Sequence, residues 1–112
     1  MGSAVSFSYH QERQSDRKTR SQVRILLLEV LAEVQDAVTD APVAISDDTR
    51  PIGDLPSFDS WLAEDTTVTI FERLGLEIVD DPNPFIRPTG GAARFGEVVA
   101  RVCELAGATE DA

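Results

Sequence analysis

The chain has 112 residues, 42% of them apolar, and carries a formal net charge of −10 at pH 7. That length supports one small domain with a single modest core. Its acidity disfavours nucleic-acid binding, because like charges repel, and favours partners that present basic surfaces.

The N-terminal segment differs from the rest in charge. Five of the ten basic side chains fall within the first 24 residues. Residues 1–18 show no apolar period, so we predict a flexible basic arm. No stretch there resembles a signal peptide, and the longest apolar run, Ile25 to Leu28, is too short to cross a bilayer. We therefore expect a cytoplasmic protein with no membrane insertion.

The first predicted helix has the clearest signals. Thr19 and Gln22 fit a capping box, in which each side chain bonds the other residue's backbone amide. The helix should end near Val38, because Pro42 follows closely. Its apolar residues recur at helical spacing and form one stripe: Val23, Leu26, Leu27, Val30, Leu31, Val34 and Val38.

A long connection, residues 39–59, separates the first helix from the second. Proline and glycine punctuate it at Pro42, Pro51, Gly53 and Pro56. Connections of this length in a small domain are usually functional or packed onto the core. Four apolar side chains are expected to hold it down: Val43, Ile45, Ile52 and Leu55.

The second predicted helix begins at Ser60 and ends at Gly75, a residue suited to a helix C-terminus. Its β-branched run, residues 66–70, leaves a strand open as the alternative. We favour a helix, because the chain offers no convincing partner strand. Its apolar side is predicted to comprise Trp61, Leu62, Val68, Ile70, Phe71 and Leu74.

The C-terminal part predicts one further helix, about Ala92 to Leu105, after an irregular segment with a possible helical turn at residues 83–86. The fold class is thus all-α: a small bundle of three to four helices with a long loop between helices one and two. We expect a helical domain over residues 19–107, a tail over 108–112, and a monomer.

Few side chains are suited to catalysis. The only histidine, His10, lies in the N-terminal arm, so no base is available for a serine nucleophile. Cys103 falls in the apolar pattern of the last helix and should be a buried structural thiol. The acidic pairs Asp47-Asp48 and Asp80-Asp81 lack the glycine-containing loop of a calcium site. We predict neither an enzyme nor a metal site.

Asp59 and Ser60 stand where the long loop meets the second helix. One interpretation is that either residue caps this helix. The other is that the serine is exposed so that a group can be attached to it. A phosphate there would lie where free amides and the helix dipole favour an anion.

The sequence around this serine resembles the acyl carrier proteins, which carry a phosphopantetheine arm on the serine of an Asp-Ser-Leu motif. The matching stretch is "DLPSFDSW", from Asp54 to Trp61, followed by "FERLGLEI" and by "NPFIRPTGGAARFGEVVARVCEL". The resemblance extends over about residues 20–106 and is greatest to atypical stand-alone carriers with "SFDS" before the second helix and "N-x-F" after it.

The resemblance implies a role for each matching residue. Ser60 would hold 4'-phosphopantetheine through a phosphodiester, and Asp59 would help a phosphopantetheinyl transferase recognise the site. An acidic face for basic docking patches on acyl-transferring or synthase enzymes would comprise Glu64, Asp65 and Glu72. Acyl intermediates would travel as thioesters on the arm, with an apolar chain sheltered in part inside the bundle.

The chain departs from the family pattern along the second helix. Trp61 replaces the usual leucine, Glu64 replaces a valine, and Thr66 and Thr67 replace apolar residues. These changes point to a specialised lipid or secondary-metabolite pathway. The alternative is an unmodified helical interaction domain in which Ser60 is only a helix cap.

Overall fold

The computed structural model describes residues 18–77 and 83–110, and the predicted all-α fold is confirmed. The described helices are α1 (Arg20–Val38), α2 (Pro51–Asp54), α3 (Ser60–Leu74) and α4 (Phe95–Ala106). Helix α1 packs against both α3 and α4. The short α2 is a single irregular turn, in which Gly53 adopts a φ of 114° that favours glycine. The predicted basic arm, apart from Lys18, lies outside the described residues.

Helix α1 begins and ends as predicted. The Thr19 hydroxyl accepts from Gln22 N at 3.2 Å, and the Gln22 side chain accepts from Thr19 N at 2.9 Å. Both halves of the capping box are therefore present. None of the helices in residues 18–77 and 83–110 combines the length and the apolar character that crossing a membrane requires.

The core lies between the three longer helices and the loop that precedes α3. The predicted strand alternative for residues 66–70 is wrong, because they continue α3. The buried apolar side chains are Val23, Leu27, Val30, Leu31, Leu55, Phe58, Ala63, Ile70, Phe71, Phe85, Ala93, Phe95, Val98, Val99, Val102 and Cys103.

The long loop is fastened to α1 by a buried glutamine. The Gln35 side chain donates to Val43 O at 3.1 Å and accepts from Val43 N at 2.7 Å. Ile45, Ile52 and Leu55 pack on the core as predicted. Val43 does not, and its side chain is exposed because its backbone makes the contact instead.

The same loop also caps the start of α4. Phe95 N donates to Thr49 O at 2.7 Å, and Gly96 N donates to Asp47 O at 3.0 Å. Arg24 of α1 pairs with the Asp47 carboxylate and lies over the Phe95 ring, 5.1 Å from its centroid. These contacts tie the loop, α1 and α4 together at one place.

Helix α4 begins three residues later than predicted. Ile86 and Ala92 form an antiparallel bridge, and Ala93 N donates to Phe85 O at 2.9 Å. Residues 92 and 93 are therefore extended and cannot join the helix. The Glu97 carboxylate then accepts from Arg94 N at 2.9 Å and pairs with Arg87 at 2.8 Å.

The fold includes residues beyond the predicted end of the domain at residue 107. Thr109 pairs with Thr19 in a parallel bridge, with Thr109 N donating to Lys18 O at 3.0 Å and Arg20 N donating to Thr109 O at 2.9 Å. Ala108 packs against the core. Residues 108 and 109 thus belong to the folded domain, because these backbone bonds fix them to the start of α1.

Candidate functional site at the start of helix α3

A tight turn brings the chain to the predicted site. Phe58 N donates to Leu55 O at 3.3 Å, and Ser57 within this turn has a φ of 59°. A positive φ is uncommon for a residue other than glycine and is held here by the buried side chains on both sides of the turn. The turn therefore has a fixed geometry, and it determines where α3 begins.

Asp59, not Ser60, caps the helix. The Asp59 carboxylate accepts from Leu62 N at 2.9 Å, and the Asp59 carbonyl accepts from Ala63 N at 2.9 Å. Ser60 is the first residue within α3, and it is exposed. The capping role that the sequence left open between the two residues thus belongs to the aspartate. The serine hydroxyl is left at the surface of the helix N-terminus.

Two aromatic side chains fill the interior of the domain next to the start of α3. The Phe58 and Phe85 rings meet edge to face, with centroids 5.2 Å apart and an interplanar angle of 65°. Both rings are buried, as is Ala63 in the first turn of α3. The segment around Ser60 therefore packs against buried side chains on its inner side.

The orientation of α3 differs from the sequence prediction. Trp61 and Val68, predicted on the apolar side, point outward, whereas Thr66 and Thr67 are buried. The Thr66 hydroxyl donates to Leu62 O at 2.7 Å, and the Thr67 hydroxyl donates to Ala63 O at 2.8 Å. Since both hydroxyls are satisfied within the helix, the threonines present their methyl groups to the core.

The outward face of α3 combines apolar and acidic side chains. Trp61 is 77% exposed and Val68 is 42% exposed. They lie two helical turns apart on the same side of the helix. The predicted partner-binding residues share this side and are exposed: Glu64, Asp65 and Glu72. We call these five residues the outer face of α3.

The carboxylates of the outer face are not neutralised within the described part of the chain. Ion pairs there join other residues, and none of them involves Glu64, Asp65 or Glu72. The nearest basic residue along α3, Arg73, instead binds Glu33 of α1 through two hydrogen bonds of 2.7 and 2.8 Å. Those bonds hold the pKa of the Glu33 carboxyl below its usual range. The outer face therefore presents net negative charge.

Two of the other candidate residues, Cys103 and Asp47, lie away from this site. Cys103 is buried in α4. Asp47 pairs with Arg24, while Asp80-Asp81 and His10 lie outside the described residues. Among residues 18–77 and 83–110, no three His, Cys, Asp or Glu side chains are arranged to hold a metal ion.

Comparison with known proteins identified no relative of this chain. No protein-family model, no curated protein and no solved structure matches the chain at a significant level. The resemblance to acyl carrier proteins stays a prediction that depends on the motif around Ser60 and on the order of the helices.

Proposed function

We propose that this protein is an acyl carrier that bears 4'-phosphopantetheine on Ser60 and presents acyl thioesters to partner enzymes. The proposal rests on one observation: Asp59 and Ser60 are adjacent, but only Asp59 caps the helix. Asp59 caps α3, and Ser60 stands exposed as the first residue of the helix. The serine hydroxyl thus has no capping role, and a transferase can reach it.

The proposed modification joins Ser60 Oγ to the phosphopantetheine phosphorus of coenzyme A. The P–O–P bond of coenzyme A breaks, adenosine 3',5'-bisphosphate leaves, and the hydroxyl proton passes to solvent. The product phosphodiester would lie at the N-terminus of α3, where the helix dipole favours negative charge. The serine needs no catalytic neighbours, because the transferase supplies the chemistry.

In use, the protein would act by positioning. A thioester tethered to the domain has a raised effective concentration at each enzyme to which the domain docks. We propose that docking involves the outer face of α3. Its exposed Trp61 and Val68 suit an apolar pocket, and its three carboxylates suit a basic rim around that pocket. The partners are a phosphopantetheinyl transferase and acyl-transferring or synthase enzymes, acting in the cytoplasm in a specialised lipid or secondary-metabolite pathway.

A second candidate function is an unmodified interaction domain. The outer face favours it, since an exposed tryptophan within an acidic surface suits protein binding whether or not an arm is attached. In that case Ser60 would play no chemical part. The two functions differ in one observable, the covalent modification of Ser60.

Intact mass spectrometry separates these functions. Wild type, Ser60→Ala and Ser46→Ala are incubated with coenzyme A and a broad-specificity phosphopantetheinyl transferase. Ser46 is another exposed serine, in the long loop, and serves as the matched control. We expect one phosphopantetheine on wild type and on Ser46→Ala, and none on Ser60→Ala. A folded wild-type protein that gains no mass would instead favour the interaction domain.

A further inference from the structure

We propose that the cargo thioester packs on the outside of the domain, against Trp61, and not inside the helical bundle. This inference rests on the proposed function, because the cargo reaches the domain only through an arm on Ser60. It departs from the expectation that the bundle interior shelters the acyl chain.

Packed side chains occupy the interior next to Ser60. Phe58, two residues before the serine, is in edge-to-face contact with Phe85. Phe85 and Ala63 are fully buried, and Thr67 is 3% exposed. The Thr67 hydroxyl already bonds the backbone of α3. An acyl chain entering here would have to displace these groups and lose their packing.

The surface beside Ser60 offers a place for apolar cargo. Trp61 is the next residue in the chain and is 77% exposed, although an indole gains much from being covered. Val68 extends the apolar surface two turns further along α3. A cargo folded back from the arm would cover the indole without any change in the core, and a partner enzyme that docks on the outer face of α3 would displace it.

The charges around Trp61 select the class of cargo. Glu64 and Asp65 follow it on the outer face of α3, and no described basic residue pairs with either. A cargo that ends in a carboxylate would be repelled. The structure therefore assigns uncharged acyl or aryl groups to this surface, in preference to dicarboxylic acyl groups.

Trp61 itself reports on this contact, because it is the only tryptophan of the chain. A transferase that accepts acyl-coenzyme A loads the protein with bare, hexanoyl, benzoyl or succinyl phosphopantetheine, and the intact mass verifies each product. Acrylamide quenching of the Trp61 fluorescence then measures how much of the indole is open to solvent. Methyl NMR of Ile70 and Val98, both buried, reports on the interior of the same samples.

We expect hexanoyl and benzoyl loading to lower the quenching constant by about twofold relative to the bare arm, because packing removes indole surface from water. Succinyl loading should leave the constant near that of the bare arm, and the core methyl signals should stay in place. Hydroxylamine should cleave the hexanoyl thioester faster in Trp61→Ala than in wild type, with Trp61→Phe restoring protection.

Several results would overturn the inference. Core methyl signals that move while quenching is unchanged would mean that the chain enters the bundle. Unchanged quenching and unchanged methyl signals would mean that the cargo is free in solvent. Equal protection by succinyl and hexanoyl groups would refute the assigned cargo class. If no sample gains mass, the proposed function itself fails, and the mass spectrum distinguishes that failure from the others.

Discussion

The Phe58 and Phe85 rings meet edge to face at 5.2 Å, which joins the loop before α3 to the segment before α4. Three residues after Phe58, Trp61 is 77% exposed. Two aromatic residues on either side of Ser60 therefore have opposite environments. Phe58 belongs to the framework that holds the serine in place, while Trp61 is available for contacts with other groups.

This contrast predicts different effects on stability. Phe58→Ala should lower the free energy of unfolding by about 3–5 kcal/mol, because it removes a buried ring and leaves a cavity. Trp61→Ala should change it by less than about 0.5 kcal/mol, as expected for an exposed position. Urea unfolding followed by circular dichroism measures both. A loss at Trp61 as large as that at Phe58 would contradict the orientation of α3.

Asp59 caps α3, and its proposed role in recognition by the transferase can be tested separately from the cap. Asp59→Ala removes the acceptor for Leu62 N and should cost about 1 kcal/mol of stability. Asp59→Asn keeps an oxygen acceptor without the charge, and asparagine caps about as well as aspartate. Its stability should therefore stay near that of wild type.

The rate of phosphopantetheine transfer then distinguishes the roles. If the transferase reads the carboxylate, Asp59→Asn slows the transfer although the helix remains capped. Transfer by Asp59→Asn at the wild-type rate, together with a slow Asp59→Ala, would instead show that only the cap matters. Initial rates from intact mass spectra decide between the two.

Gln35 should be the main anchor of the long loop. Gln35→Leu replaces the amide by an apolar side chain of similar size and removes both hydrogen bonds to Val43. We expect a loss of about 1–2 kcal/mol and faster amide exchange in residues 39–50. Asp36→Asn, at the adjacent exposed position, is the control and should leave both unchanged. If exchange in Gln35→Leu stays at the wild-type rate, the loop is held by its other contacts, which are its apolar side chains and the bonds of Asp47 and Thr49 to α4.

The contact between Arg87 and Glu97 predicts a pH dependence. The Arg87 guanidinium, and next the Arg94 amide, hold the pKa of the Glu97 carboxyl below its usual range. A carboxyl with a lowered folded-state pKa stabilises the fold above its unfolded-state pKa, and this stabilisation is lost as the pH falls through the folded-state value. The turn at residues 86–92 should therefore loosen in acid.

Amide signals of Gly90 and Gly91, followed by NMR during acid titration, measure this effect. In Glu97→Gln the turn should already be looser at neutral pH, and its signals should lose the titration step. If the Gly90 and Gly91 signals change with pH in the same way in Glu97→Gln and in wild type, the change must be caused by a group other than Glu97.

Local signals in the sequence predicted the fold best. The capping box at Thr19 and the glycine at position 75 mark helix ends through contacts within a few residues, so the sequence alone suffices to find them. The start of α4 was missed, because the bridge between Ile86 and Ala92 keeps residues 92 and 93 extended. The bridge depends on the turn between Ile86 and Ala92, and the helical spacing of apolar residues in the sequence does not indicate such a turn.

The orientation of α3 was harder to predict for a physical reason. Hydropathy places Trp61 on the apolar side of α3 and leaves Thr67 out of it, whereas the structure exposes Trp61 and buries Thr67. The Thr67 hydroxyl bonds its own helix, so its burial leaves no polar group unsatisfied. The motif located Ser60 and Asp59, but only the structure assigns the cap to Asp59 and reveals the exposed indole beside the serine.

The most direct test of the carrier proposal is to locate the added group. Wild-type protein treated with coenzyme A and transferase is digested, and the modified peptide is fragmented in the mass spectrometer. We predict a single phosphopantetheine on Ser60. An unmodified Ser60 in a folded protein, or the group on a different serine, would contradict the proposal.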